Sequence, residues 1–338
     1  MLKTSKTKTK KSLINIFLTK MTRKEEKSFK DLHKSVLLTE LVDAIKVQKN
    51  KQNIIVDCTL WMWGHAREIL KKLNKWDIFI WFDADIRNLN IVQPELQKEF
   101  LESGIKLLFV NDNFLNLRKN LEKLEITKIT WIYYDLGISS LHVDEADRGF
   151  SFKLDGPLDM RFDTSKWITA SHIVNSYTKD DLIEIFREYG EEPSSRKIAE
   201  EIALERKKGT RFKTTKELAD LIGRVSKFPK SKNRIFQALR IETNKELEVI
   251  EESVRDAIDF LEKGWSIFII SFHSLEDRIV KNIFKKEERD CICSELICVC
   301  KHKKSLKTTT KKPILPTEEE IKSNPRSRSA KARGAIKM

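Results

Sequence analysis

The stretch VDCTLWMWGHA, residues 56–66, decides how this chain is read. It continues an apolar, β-rich run, NIIVDCTL (53–60), passes an acid at Asp57, and crosses a short loop to Gly64 and His65. AREILKKL (66–73) then takes up helical spacing. Strand, tight loop and helix in that order form the first unit of an open α/β sheet, in which the loop backbone comes close to a ligand. Three further buried strands follow, DIFIWFDAD (77–85), IKLLFVND (105–112) and ITWIYYDL (129–136), with segments between them long enough for helices. Such alternation predicts a Rossmann-like, doubly wound α/β sheet.

The pattern changes after residue 140. From 141 to 245 the segments are polar and helix-like: DDLIEIFREYG stops at Gly190, SSRKIAEEIALERKKG stops at Gly209, and TTKELADLIGRV opens on a threonine cap. We expect an inserted helical domain here, for substrate recognition. The sheet pattern resumes over 246–290, where Leu247, Ile250, Val254, Ile258 and Leu261 make a helical stripe and SIFIISF (266–272) is another buried strand. The expected organisation is a basic extension (1–30), the first part of the sheet domain (31–140), the insertion (141–245), the second part (246–290), and a cysteine cluster with a basic, extended tail (291–338).

Charge follows that organisation. The chain carries +14 overall, with +8 in residues 1–30 and +9 in 301–338, leaving −3 for everything between. Basic ends of this kind hold a polyanion without reading its sequence, or serve only as solvated ends. The longest early apolar run, LINIFL (13–18), is too short for a signal-peptide core or a membrane span, which points to a cytoplasmic protein.

Ligands of open α/β sheets bind outside the carboxyl ends of the strands, and acids crowd those ends here. They are Asp57 after the first strand, Asp83 and Asp85 after the second, Asp112 with Asn113 and Phe114 after the third, and Asp135-Leu136-Gly137 after the fourth. An acid after the second strand is placed to accept both hydroxyls of a ribose. Without a full G-x-G-x-x-G run, the pattern admits either a dinucleotide or S-adenosylmethionine.

The motifs HKSVLLTEL, VDCTL with GHA, FDAD, YYDLGISS, RGFSF, DGPLDMR, ALRIETNKELE, ISFHSLEDRIVK and NPRSRSAKAR, in this order, resemble the ribosomal RNA small subunit methyltransferase H family, also called MraW. The resemblance covers roughly residues 31–335. It implies a class I S-adenosylmethionine methyltransferase acting on the exocyclic amine (N4) of a cytosine in the decoding region of small-subunit (16S) ribosomal RNA. The partner would be that RNA or the assembling 30S subunit, with no membrane involved and a homodimer left open. It also implies cofactor contacts at Trp63, Gly64, His65, Asp83, Phe114, Asp135 and His142, the last standing where glutamine is familiar. Asp135 is the catalytic candidate, either accepting the amine proton or binding cofactor. Phe150 and Phe152 are candidates to stack on a flipped base. Asp159, Arg161, His273, Glu276 and Arg278 are candidates to line the site or contact phosphate.

By the same resemblance Trp61, Trp63, Trp76, Trp81, Trp131, Trp167 and Trp265 all stand where relatives carry glycine. The chain has 10 glycines and 7 tryptophans, while ordinary chains approach ~7% glycine. An indole needs on the order of 150–250 Å² of burial and a partner for its N–H, whereas a glycine place often demands positive φ. We read these residues as glycines encoded by UGA and rendered as tryptophan. Taken as written, indoles in the first loop favour instead an RNA-binding assembly factor that keeps the fold without the cofactor.

Cys291 and Cys293 are two apart, as are Cys298 and Cys300. A hairpin would bring both pairs round a tetrahedral structural Zn²⁺, and free thiols are the alternative. Cys58 reads as a small core residue.

Overall fold

The apolar runs form strands at the predicted places. In the computed structural model, which describes residues 34–60, 64–138, 140–293 and 299–338, they are β1 (Ile54–Asp57), β2 (Ile78–Phe82), β3 (Lys106–Val110), β4 (Ile129–Asp135) and β5 (Leu261–Ser271). The basic extension 1–30, Trp61, Trp63 and Cys298 lie outside the described residues. The five strands pair in parallel in the order β3-β2-β1-β4-β5, so the direction of winding reverses between β1 and β4. β4 is buried at every one of its residues, as a central parallel strand must be. Helices follow each strand end: α1 (Leu38–Ala44) precedes β1, then come α2 (Gly64–Leu70), α3 (Ile86–Glu99), α4 (Leu117–Lys123) and α5 (Ser140–Asp144).

One expectation is corrected. Residues 301–338 are not an extended tail: Leu306–Thr308 form β6 and Lys331–Lys337 form β7, which pair antiparallel with each other, and β7 pairs antiparallel with β5. Between them lies α13 (Glu318–Ser323), whose Glu320 Oε1 accepts the Leu37 N–H at 2.9 Å. The physical reason is a weak apolar signal. In KARGAIK the small residues Ala332, Gly334 and Ala335 are buried while Lys331, Arg333 and Lys337 are only partly so, and composition alone conceals such a strand. Gly334 is required there, since a Cβ would meet Thr309 Oγ1 at 2.8 Å and Phe268 at 3.4 Å. Arg333 closes a bidentate pair on Asp277 at 2.6 and 3.2 Å.

The helical segment gathers a core of its own from α6 (Ala170–Ser176), α7 (Lys179–Glu188), α8 (Ser195–Lys207), α9 (Thr215–Val225) and α10 (Ser231–Asn244). Leu182, Phe186, Ile198, Ile202, Leu218, Ile222, Ile235 and Leu239 are all fully buried in it. α7 and α9 start on reciprocal capping boxes, Thr178 with Asp181 and Thr214 with Glu217, each satisfying two backbone N–H groups that the helix cannot. Lys245, at φ 53°, turns the chain from α10 into α11 (Glu246–Phe260), whose apolar stripe returns to the sheet. α12 (Ser274–Glu287) then leaves β5. Among the described residues no helix is long and apolar enough to cross a membrane.

Candidate active site

The strand ends around the switch point carry buried acids, and their surroundings set their charge. Asp57 is 3% exposed; Tyr133 Oη donates to its Oδ2 at 2.5 Å and the Thr59 N–H to its Oδ1 at 2.9 Å. Burial pushes its carboxyl up to about 7, with those two bonds opposing. Asp83 follows β2 and accepts from the Asp85 N–H at 2.7 Å and from Asn88 Nδ2 at 2.9 Å. Burial raises it to about 8, and the neighbouring charges of Asp85 and Asp57 add to that. Asp135, at the end of β4, is driven far above the usual carboxylate range by burial, then by Asp57 and Glu276.

Asp85 behaves oppositely. Burial raises its carboxyl, but the His142 bond, the Arg87 N–H and the charges of Arg87 and His142 more than offset this and hold it low. Its side chain caps α3 through the Arg87 N–H at 3.1 Å and accepts from His142 Nε2 at 3.3 Å and from Arg148 Nη1. Arg148, 4% exposed, also donates to the Arg161 carbonyl at 2.7 Å. This knot fixes the loop after β4 onto the end of β2.

Between these ends lies an open cavity, with about 620 Å³ of free space when its solvent-filled mouth is included. Thr59, Leu60, Asp83, Phe114, Gly137 and His142 line it from the sheet side, and Asn244, Glu246, Ile250 and Glu276 from α10, α11 and α12. Phe114 is set by an edge-to-face contact with Tyr134 at 5.6 Å. Cys58 is buried as expected and lines the cavity as well.

The expected cofactor residues gather here unevenly. Asp83, Phe114 and His142 line the cavity. Gly64 opens α2, and His65 is buried behind it, with Nε2 2.8 Å from the Val36 carbonyl and Nδ1 3.6 Å from Asp135 Oδ2. Trp63 lies outside the described residues. His142 is committed to Asp85 and is packed against Phe150 and Phe162 at 4.9 and 5.3 Å.

Several other candidates are used internally. Phe150 is 8% exposed and stacks on Phe162, and Phe152 packs edge-on against Phe236 at 5.3 Å, so both serve the second core. Arg161 pairs with Asp159 at 2.6 Å, and exposed Arg278 with Glu191 at 3.3 Å. His273 and Glu276 form the capping box of α12. Sequence reasoning passed over Asn244 and Glu246 as cavity residues; the run ETNKELE brings them to the α10–α11 turn, and its polarity was the available signal.

The thiols of Cys291, Cys293 and Cys300 converge, with candidate ligand atoms within 4.8 Å of one another and Cys291 Sγ 3.8 Å from Cys300 Sγ. Among the tryptophans, Trp76 sits at φ 75° and is 77% exposed, and Trp167 is 72% exposed. Trp81 is fully buried, stacked on Phe79 and Phe109 at 4.2 and 4.7 Å, and its indole N–H meets no acceptor among the described residues.

Compared with protein families, residues 30–338 match the MraW methylase family model. The chain belongs to the MraW methylase family. Relatives of this MraW chain include a ribosomal RNA small subunit methyltransferase H of Clostridioides difficile, 44% identical over 314 residues, covering 90% of this chain and 99% of the relative. Proteins of the same name from Finegoldia magna (42% over 315 residues, 90% and 98% covered) and Caldicellulosiruptor saccharolyticus (44% over 312 residues, 90% and 99% covered) are similar throughout. The MraW match includes β6 and β7, of which β7 pairs with β5.

Proposed function

We propose that this chain transfers a methyl group from S-adenosylmethionine to the exocyclic N4 amine of a cytosine in the decoding region of small-subunit ribosomal RNA. The relatives' printed activity supports the RNA class. The observation that carries the cofactor is the cavity at the switch point, with Asp83 at the end of β2 beside Phe114.

The residues present fit the group. Each Asp83 oxygen already accepts one hydrogen bond and retains a second lone pair, so the carboxylate has room for two ribose hydroxyls. Phe114, fixed edge-on by Tyr134, offers a ring to an adenine, and His142 is held at the same wall by Asp85. Bound there, S-adenosylmethionine would supply an electrophilic sulfonium methyl.

The chain's own part is alignment and proton acceptance, because a cytosine amine is a weak nucleophile whose lone pair is delocalised into the ring. Asp135, at the switch point with His65 beside it, is placed to hold an N–H of that amine. The knot of Asp85, His142 and Arg148 keeps the cavity wall in place while the base enters.

The test is methylation of purified small subunits that lack the modification, using labelled cofactor, followed by nucleoside analysis. N4-methylcytidine in the decoding region is the expected product. Label on another atom or in another RNA overturns the reading.

We also propose that Cys291, Cys293 and Cys300 hold a structural Zn²⁺, with Cys298 of the sequence as fourth donor. The convergence of three thiols supports this. Elemental analysis of the purified protein checks it, with about one zinc per chain expected and a metal-free folded protein excluding it.

A further inference from the structure

Glu246 and Glu276 line the same cavity as Asp83 and Phe114, yet the cofactor reading uses neither. Their situations differ. Glu246 is neutralised by a bidentate pair with Arg240, at 2.8 Å to each oxygen. Glu276 is fully buried, and its two oxygens are engaged differently. Oε2 accepts the N–H groups of Phe272 and His273 at 2.7 and 3.2 Å, which caps α12. Oε1 pairs with His273 Nε2 at 3.0 Å and lies 4.0 Å from Arg240 Nη2, contacts of charge without a well-aligned hydrogen bond among the described residues.

A buried polar atom left without a hydrogen bond is costly and rare, and at a functional site it is where a ligand's donor fits. The donor expected in this cavity is an amine with two N–H groups. One proton must leave as the methyl arrives, and an acceptor on each N–H helps draw the nitrogen lone pair out of the ring. Asp135, buried at the end of β4 next to the lining residue Leu136, is the acceptor we assign to the sheet side. Glu276 stands close enough for its charge to bear on Asp135.

Resting on the amine-methylation reading, we propose that Glu276 Oε1 is the catalytic acceptor of the departing amine proton, with Asp135 holding the second N–H and His273 positioning the Glu276 carboxylate. The nitrogen lone pair forms the new N–C bond, and the methyl–sulfur bond breaks with its electron pair returning to sulfur, which becomes a neutral thioether. The N–H proton passes to Glu276 Oε1, giving a neutral carboxylic acid that later releases the proton to water. The charges agree with this division. Burial raises Glu276, but His273 and Arg240 outweigh it and hold the carboxyl below its ordinary range, while Asp135 is pushed far above. The two carboxyls are thus driven apart, and the ionised one meets the substrate as a base.

The experiment is single-turnover methyl transfer to unmodified small subunits by the full chain, beside calorimetric cofactor affinity and thermal unfolding. Glu276→Gln is expected to slow transfer by about 10²–10⁴-fold while cofactor affinity stays within threefold. Glu276→Asp keeps the charge but withdraws the carboxylate by one methylene, and is expected to lose tenfold or more in rate while cofactor affinity stays within threefold. Transfer by Glu276→Gln within threefold of the parent rate, or a loss of affinity equal to the loss of rate, overturns the proposal. If Glu276→Gln fails to fold, an unimpaired Glu276→Asp overturns it equally. A parent protein that methylates no cytosine amine defeats the underlying reading instead, so the two failures are distinguishable.

Discussion

Tyr133 and Asp57 sit opposite each other across β4 and β1, and the tyrosine hydroxyl donates to the buried carboxyl at 2.5 Å. The bond joins the two strands between which the winding reverses, directly beneath the cavity. Tyr133→Phe leaves that buried carboxyl oxygen without its donor. A loss of about 1–3 kcal/mol in urea unfolding is expected, with β4 otherwise intact.

The raised carboxyls of Asp57 and Asp83 give stability a definite pH slope. Both bind their protons more tightly folded, at about 7 and about 8, than unfolded, near 3.8. Between those values the unfolded chain releases more protons, so these two groups make the fold less stable as pH rises from about 4 toward 8, after which their effect is constant. Denaturant midpoints of the parent against Asp83→Asn across that range check it, and the variant is expected to show the shallower fall.

Cofactor binding takes the opposite sign. Ribose hydroxyls donate to ionised Asp83, so binding selects the charged form of a group that titrates at about 8 when free. Affinity for S-adenosylmethionine is expected to rise between pH 6 and 8 and then level. Calorimetry in buffers of different ionisation heat should register proton release, and Asp83→Asn should abolish both.

Trp76 holds φ at 75°, a conformation that costs a residue with a Cβ roughly 1–2 kcal/mol and glycine almost nothing, while its indole is mostly in solvent. Trp76→Gly is therefore expected to raise stability by about 1 kcal/mol or more. The seven codons are expected to be UGA, and peptide mass mapping of protein from its own cell should find glycine at residue 76. Seven UGG codons would end that reading.

Arg148 is buried with Asp85 as its partner. Arg148→Ala leaves the Asp85 carboxylate in place without that cation, and about 3–5 kcal/mol of stability is expected to be lost in thermal or urea unfolding.

What was legible in the sequence follows from side-chain chemistry. The parallel strands announced themselves because they are buried on both faces, so IIVD, IFIWF and ITWIYYD are continuous apolar runs. α7 was legible from its stop at Gly190 and α9 from its cap at Thr214, because such end signals are local. β7 was not, because small residues set among basic ones carry little apolar signal, and the strand is placed by pairing with β5 and β6. The acids at the strand ends were readable one by one. Their division into raised and lowered carboxyls was not, because it depends on how deeply each is buried and on His142 reaching Asp85 and Arg240 reaching Glu276 from distant parts of the chain.

β7 follows every other strand in the chain but is laid down between β5 and β6. While a ribosome is still short of residue 337, the outer flank of β5 stands open, an apolar ribbon with unanswered amides of the sort that invites pairing with a stranger. Maturation of this chain is therefore a race between finishing synthesis and clumping. Residues 331–337 act as the latch on that flank.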